Sequence, residues 1–217
     1  MVYLSTRRKA SMKLAIFGAT GGTGLELVKQ ALERGYAVTA FVRNPAPLAD
    51  NGDGLTIITG DIYDKAAVAR CIQGQEAVIC ALGARDLQKT IIRTTGTVNI
   101  ISGMRQAGIN RLLVVSAMGI GASWHTLSLF SKLFFVTLLR NARTDHEAQE
   151  TAVKASGLDW TIVRPSGLVN TPGTGIYSVG ENIRAKASQI PRADVADLIL
   201  NELTEGALIH KAVMITN

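Results

Sequence analysis

The sequence predicts an α/β protein: a single Rossmann-type, doubly wound domain, with a mostly parallel sheet and helices on both faces. Three observations carry that expectation. Short apolar runs rich in β-branched residues alternate with helical patterns, the order that parallel βαβ units produce. Gly35, Gly74, Gly108 and Gly157 each follow a helical pattern, where a left-handed cap is favoured. Three further glycines, Gly18, Gly21 and Gly24, stand between the first apolar run and the first helical one.

In chain order, strands are expected at 14–17, 37–42, 55–59, 77–80, 112–116, 160–163 and 212–216. Helices are expected near 23–34, 65–72, 95–107, 141–155 and 193–203. There is no internal repeat, low-complexity tract or linker, so one domain accounts for residues 12–217, with substrate-side loops at 121–140 and 165–192. The head "MVYLSTRRKASMKLAIF" has too short an apolar run for a signal-peptide core. Residues 1–11 read as a disordered extension before a start near Met12. A fragment of a transit peptide is the other reading, because the stretch lacks acids.

Composition narrows the function classes. With 47% hydrophobic and 18% charged residues among 217, the chain can bury a real core. The net charge of +6 points to anionic partners. Arg7, Arg8, Lys9 and Lys13 hold part of that excess in the head. No basic run is interleaved with aromatics, which argues against nucleic-acid binding. The two cysteines, Cys71 and Cys80, have no CxxC or Cys/His companion and read as buried thiols of a reducing compartment. The three histidines have no metal-ligand spacing, so no metal is expected. The longest apolar stretch, "WHTLSLFSKLFFVTLLR", is broken by His125 and Lys132 and falls short of a membrane span. No integral membrane association and a cytoplasmic location are therefore expected.

In "GATGGTG" each glycine of the triplet meets a demand that excludes a side chain. The chain must turn sharply after the strand, let a pyrophosphate approach the backbone, and bring the helix close to the sheet. The helix start near Thr23 then offers free N–H groups to the phosphates. Gly18, Thr20, Gly21, Gly22, Thr23 and Gly24 are the expected phosphate cradle; a purely structural turn is the alternative. A 1-4-7 spacing resembles the short-chain dehydrogenase/reductase pattern rather than G-x-G-x-x-G.

The second strand ends in "FVRN", with Arg43 where an NAD site places Asp or Glu for the ribose 2′-hydroxyl. A guanidinium suits a 2′-phosphate through charge-assisted bonds. NADPH is the expected cofactor; otherwise Arg43 is a solvated strand-end arginine. Asp61 and Ile62 follow the third strand, where an adenine ring would lie, unless Asp61 simply caps the next helix. Ala81, Leu82 and Gly83 follow the fourth strand, beside the ribose and nicotinamide, or form an ordinary loop.

"AIFGATGGTG", "GYAVTAFVRNP", "GDIYD", "QEAVICALGARD", "VVSAMG" and "SGLDWTIVRPSGL" resemble the atypical short-chain reductases of the NAD(P)-binding, NmrA-like kind. Among these the likeness is greatest to the biliverdin-IXβ and flavin reductases, and it spans about 13–217. It implies a monomeric enzyme that uses NADPH to reduce flavins and linear tetrapyrroles, with the flavin a substrate rather than a prosthetic group. It also implies that Ser116, at the end of the fifth strand, is the active-site serine, and that His146 lies near the pocket rim. As plain residues these would be a strand-end serine and a surface helical histidine.

The tyrosine–lysine pair of the usual short-chain dehydrogenases is absent. The residues four beyond Tyr3, Tyr36, Tyr63 and Tyr177 are Arg7, Ala40, Ala67 and Glu181. An enzyme that must take a proton from an alcohol lacks its base, whereas a conjugated acceptor stabilises charge itself. "RPSG" stands where family members carry a histidine close to the substrate. There Arg164, Pro165 and Ser166 would give an anionic substrate a positive edge, or Arg164-Pro165 would simply end the sixth strand. In the segment 124–139, Leu127, Phe130, Phe134 and Leu138 recur at helical spacing. They form a packed helix or, with Trp124, a lid over a flat substrate. The leading expectation is an NADPH-dependent reductase of flavin or biliverdin. The alternatives are a non-catalytic NADP(H)-binding redox sensor and an isomerase or epimerase.

Overall fold

The computed structural model describes residues 12–48, 53–83, 91–120, 140–183 and 188–217, with Arg140 and Asn141 as backbone only. Residues 1–11 and the segment carrying Trp124, Leu127, Phe130, Phe134 and Leu138 lie outside this set. The strands are β1 Lys13–Phe17, β2 Ala37–Val42, β3 Leu55–Thr59, β4 Ala77–Cys80, β5 Arg111–Val115 and β6 Asp159–Pro165. Beyond them lie β7 Gly167–Val169, β8 Ser178–Gly180, β9 Gln189–Pro191 and β10 Lys211–Thr216. The α-helices are α1 Gly22–Glu33, α2 Lys65–Ile72, α3 Ile92–Ala107, α4 Arg140–Lys154 and α5 Arg192–Glu205.

Eight strands form one sheet in the order β3-β2-β1-β4-β5-β6-β10-β8. All neighbours are parallel except β8, which runs antiparallel to β10 at the edge. This is the doubly wound α/β fold that the alternating pattern predicts. The short strands β7, β8 and β9 were not foreseen: three residues are too few for any periodicity to register.

Alternation along β1 explains the two-layered core. Leu14 and Ile16 point to one face, with Leu27, Val28, Val195 and Ile199 of α1 and α5. Ala15 and Phe17 point to the other, with Val68, Ile100, Met104 and Val153 of α2, α3 and α4. Period-2 geometry splits one apolar run between two cores. The helices pack as neighbours in the pairs α1–α5, α2–α3 and α3–α4. Cys71 and Cys80 are free and buried, and burial raises both thiols, Cys71 to about 12.

The site is positioned by a reversal in strand order. From β1 the chain winds outward through β2 and β3, then returns to place β4 on the other side of β1. Such a switch opens a crevice at the carboxyl ends of the strands. Register aligns that edge: Phe17 pairs with Phe41 and Cys80, Cys80 with Val114, and Val115 with Val163. The residues just beyond these pairs therefore face one crevice rim.

Candidate active site

The turn after β1 is held by backbone contacts. Gly18 has φ +80°, and a Cβ there would run into the carbonyl of Ala81 after β4. The N–H of Gly21 closes the turn on the Gly18 carbonyl at 3.0 Å. A Cβ on Gly24 would strike that same carbonyl. The first demand therefore comes from the β4 loop and the last from α1 folding back onto its own turn. Gly21 is the N-cap of α1 and provides no side-chain cap. The first turn of the helix faces the exposed Gly21 and Gly22, with Thr20 part-buried and Thr23 buried beside them. Such a helix start, with N–H groups, a dipole and no Cβ on Gly21 or Gly22, can take an anion.

Arg43 follows β2 two residues past the Phe17–Phe41 pair and is exposed. No described residue hydrogen-bonds or ion-pairs with its guanidinium. Asp61 does not cap α2. Its Oδ1 accepts from the N–H of Tyr63, two residues on, at 2.9 Å. Asp64 is the cap, accepting from the N–H groups of Ala66 and Ala67. The spacing favours Asp64 because a cap must reach the second and third helical residues. Ile62 and Leu82 meet over Gly96 of α3, where a Cβ would lie 2.5 Å from Leu82 and 2.7 Å from Ile62. Gly83 has open space around it.

The opposite half of the rim is a buried polar cluster. Ser116 stands one residue beyond β5 rather than in it, with its N–H on the Val163 carbonyl at 2.8 Å. Its hydroxyl donates to Glu150 Oε1 at 2.8 Å and lies 3.4 Å from His146 Nδ1. Both partners come from α4, at the i, i+4 spacing that shares a helix face. Arg164 donates to Glu150 through Nε at 2.9 Å and Nη2 at 2.6 Å. Burial alone would raise the Glu150 carboxyl, but Arg164, Ser116 and Lys154 outweigh it and hold it below its usual range. His146 is driven down to about 4, first by burial and then by the Arg93 charge. It is a neutral imidazole at pH 7.

Two expectations are corrected here. His146 is not a surface histidine: it is 8% exposed, because the face of α4 carrying it and Glu150 turns to the sheet. Arg164 offers no positive edge to a substrate: at 2% exposure its guanidinium turns inward, since a buried arginine needs a carboxylate and Glu150 is the one within reach. Pro165 gives its carbonyl to the N–H of Met118. Ser166 is buried, its hydroxyl without a hydrogen-bond partner among the described residues. Trp124 lies outside the described residues.

Sequence reasoning missed Glu150, although the i, i+4 pair in "HEAQE" was a signal that could have found it. It also missed Asp145, which caps α3 from α4 by accepting from the N–H of Thr94 at 3.0 Å and the Thr94 hydroxyl at 2.7 Å. Asp145 pairs with Arg93 at 3.4 Å as well. Among the described residues no group of His, Cys, Asp or Glu could hold a metal ion, and no helix is long and apolar enough to cross a membrane.

An uncharacterized chloroplastic protein of Arabidopsis thaliana is 31% identical over 94% of this chain and 76% of its own length. An uncharacterized sugar epimerase of Bacillus subtilis is 28% identical over 94% of each chain. Among solved structures, the anaerobillin reductase ChuY of Escherichia coli O157:H7 superposes with a TM-score of 0.80 at 27% identity, covering 94% of this chain and 97% of that one. The profile of the NAD(P)H-binding family matches residues 18–206, from the first glycine of the turn to the end of α5. The chain belongs to that NAD(P)H-binding family.

Proposed function

We propose that the protein is an NADPH-dependent reductase that passes hydride to a flavin or a linear tetrapyrrole such as biliverdin. One observation carries the reading: among the described residues, the reacting edge holds no group ready to take a proton from a substrate. Ser116 donates its hydroxyl hydrogen bond to Glu150, Glu150 is clasped by Arg164, and His146, driven down to about 4, is a weak base. Tyr177 is no base either, because burial raises its phenol, which keeps its proton and donates to Asp197 at 2.6 Å. A conjugated acceptor needs no such base.

In this reading Gly18, Thr20, Gly21, Gly22, Thr23 and Gly24 hold the pyrophosphate and Arg43 the 2′-phosphate. Asp61 and Ile62 line the adenine, and Ala81, Leu82 and Gly83 lie along the ribose and nicotinamide. The bound dihydronicotinamide supplies two electrons as hydride from C4, and water supplies the proton that completes the reduction. Ser116 turns lone pairs outward and orients an N–H of the nicotinamide carboxamide or the acceptor, with Ser166 on the same rim. The name of the 27%-identical neighbour supports a reductase. The reading keeps the enzyme monomeric and cytoplasmic, built as one domain over 12–217 with flavin as substrate.

The test is to mix purified protein with NADPH and FMN and follow absorbance at 340 nm. The expected result is a decay that depends on both. Absence of turnover with FMN, riboflavin and biliverdin alike would sink the reading. The same lack of a base also favours a second one, a redox sensor that binds NADP⁺ and NADPH tightly and turns over neither. Tight binding without reductase activity is its signature.

A further inference from the structure

The glycine turn contains one glycine more than a dinucleotide fold requires. Gly18, Gly21 and Gly24 each meet a backbone demand; Gly22 does not. The structure supplies its reason from the far end of the chain. A Cβ on Gly22 would lie 2.6 Å from Arg192 Nε, 2.7 Å from its Cδ and 3.3 Å from its Cζ. The arginine side chain is laid across the bare Cα of the first residue of α1.

We infer that Arg192 is a phosphate-binding residue of the dinucleotide site, reaching over Gly22 to the pyrophosphate. The inference rests on the reading of the glycine turn as the dinucleotide cradle. Arg192 is the first residue of α5, which packs along α1 and is tied to it by Gln30 Nε2 donating to the Ala193 carbonyl at 2.9 Å. That contact ties the start of α5 to the later part of α1. The guanidinium is only part-buried, and Nη1 donates to Asn170 Oδ1 at 2.7 Å, a neutral partner.

The acids nearby are engaged elsewhere. Asp194 accepts from the N–H groups of Thr174 and Gly175 and from the Thr174 hydroxyl. Asp197 serves Arg34 and Tyr177. Among the described residues no carboxylate pairs with Arg192. A cation at a helix N-terminus is unfavourable, and here it lies between the starts of two helices. Three positive features converge on one uncapped turn, and an anion placed there is attracted by all of them. A phosphate oxygen takes charge-assisted bonds from a guanidinium and from helix N–H groups together.

The division of labour follows. The pyrophosphate is common to both nicotinamide dinucleotides, so Arg192 adds affinity without choosing between them, and Arg43 does the choosing. Binding of NADPH and of NADH to the full chain is measured by dihydronicotinamide fluorescence, with no acceptor present. Parent, Arg192→Ala and Arg192→Gln are compared, and the melting temperature of each without cofactor checks the fold. Both variants are expected to weaken both dinucleotides by the same factor, about 10- to 100-fold, with parent-like melting. Arg192→Lys should recover part of the loss. A loss confined to NADPH would assign Arg192 to the 2′-phosphate and overturn the inference. So would unchanged affinities in the Ala and Gln variants. A parent chain that binds neither dinucleotide would overturn the reading of the glycine turn along with it.

Discussion

Ser116 donates its hydroxyl to Glu150 across 2.8 Å, and Glu150 is in turn clasped by Arg164. A serine so held is an acceptor toward anything that approaches it, not a donor. That polarity separates it from a serine that stabilises a developing oxyanion. Ser116→Ala removes one hydrogen bond and unpairs no buried charge. Reductase turnover is expected to fall about 10-fold, the scale of one such bond, with the KM for NADPH nearly unchanged. Parent-like turnover would make Ser116 an ordinary residue after a strand.

Glu150→Ala should behave differently. It leaves the Arg164 guanidinium, 2% exposed, without its counter-charge. Losing one member of a buried pair costs about 3–5 kcal/mol. Urea unfolding at pH 7 should show that loss, and Glu150→Gln, which keeps the shape and one acceptor oxygen, should lose less.

Arg43 is the exposed prediction for cofactor choice. If it grips the 2′-phosphate, Arg43→Ala should raise the KM for NADPH about 10- to 100-fold, from charge-assisted bonds of roughly 1.5–3 kcal/mol. The KM for NADH should barely move, and Arg43→Asp should favour NADH outright. High salt should weaken NADPH binding more than NADH binding in the parent. Equal losses for both cofactors in steady-state kinetics would assign Arg43 to the fold or the adenine pocket.

Protonation of His146 sets an acid limit. Its folded value of about 4 lies below the ordinary 6.5. As pH falls below 6.5, the unfolded chain takes up a proton that the folded chain refuses until about 4, so stability drops across that window. The expected loss by pH 4.5 is about 2–3 kcal/mol. Glu150, held below the usual 4.5, adds its own loss only at more acid pH. Urea titrations at pH 7, 6 and 5 should show the decline in the parent, and His146→Gln should flatten it.

Gly24→Ala isolates the close approach of helix and turn. Within an exposed helix this change stabilises by up to about 1 kcal/mol. Here the new methyl would meet the Gly18 carbonyl, a backbone atom. Destabilisation of about 1–3 kcal/mol is expected, as for overpacking, together with loss of NADPH fluorescence enhancement. A more stable, fully binding variant would contradict the geometry.

The sequence by itself determined the order of strands and helices, the glycine turn and the place of Arg43. Each is written locally. Periodicity marks an element, a glycine marks a left-handed or crowded backbone, and a strand-end residue inherits its position from the strand. Gly35, Gly74, Gly108 and Gly157 all take positive φ for the same local reason. The tertiary structure alone decided which charges are spent inside. Arg164 reads identically whether it faces a substrate or a buried carboxylate, and His146 identically on a rim or in a core. Glu150 became the partner of both Arg164 and Ser116 only when α4 packed its face against the ends of β5 and β6. Gly22 found its reason in Arg192 only when α5 came alongside α1. A residue's chemistry is carried by its side chain, but its partner is chosen by crossover connections that join distant stretches of chain. The backbone of the site is therefore legible in the sequence, and its electrostatics are not.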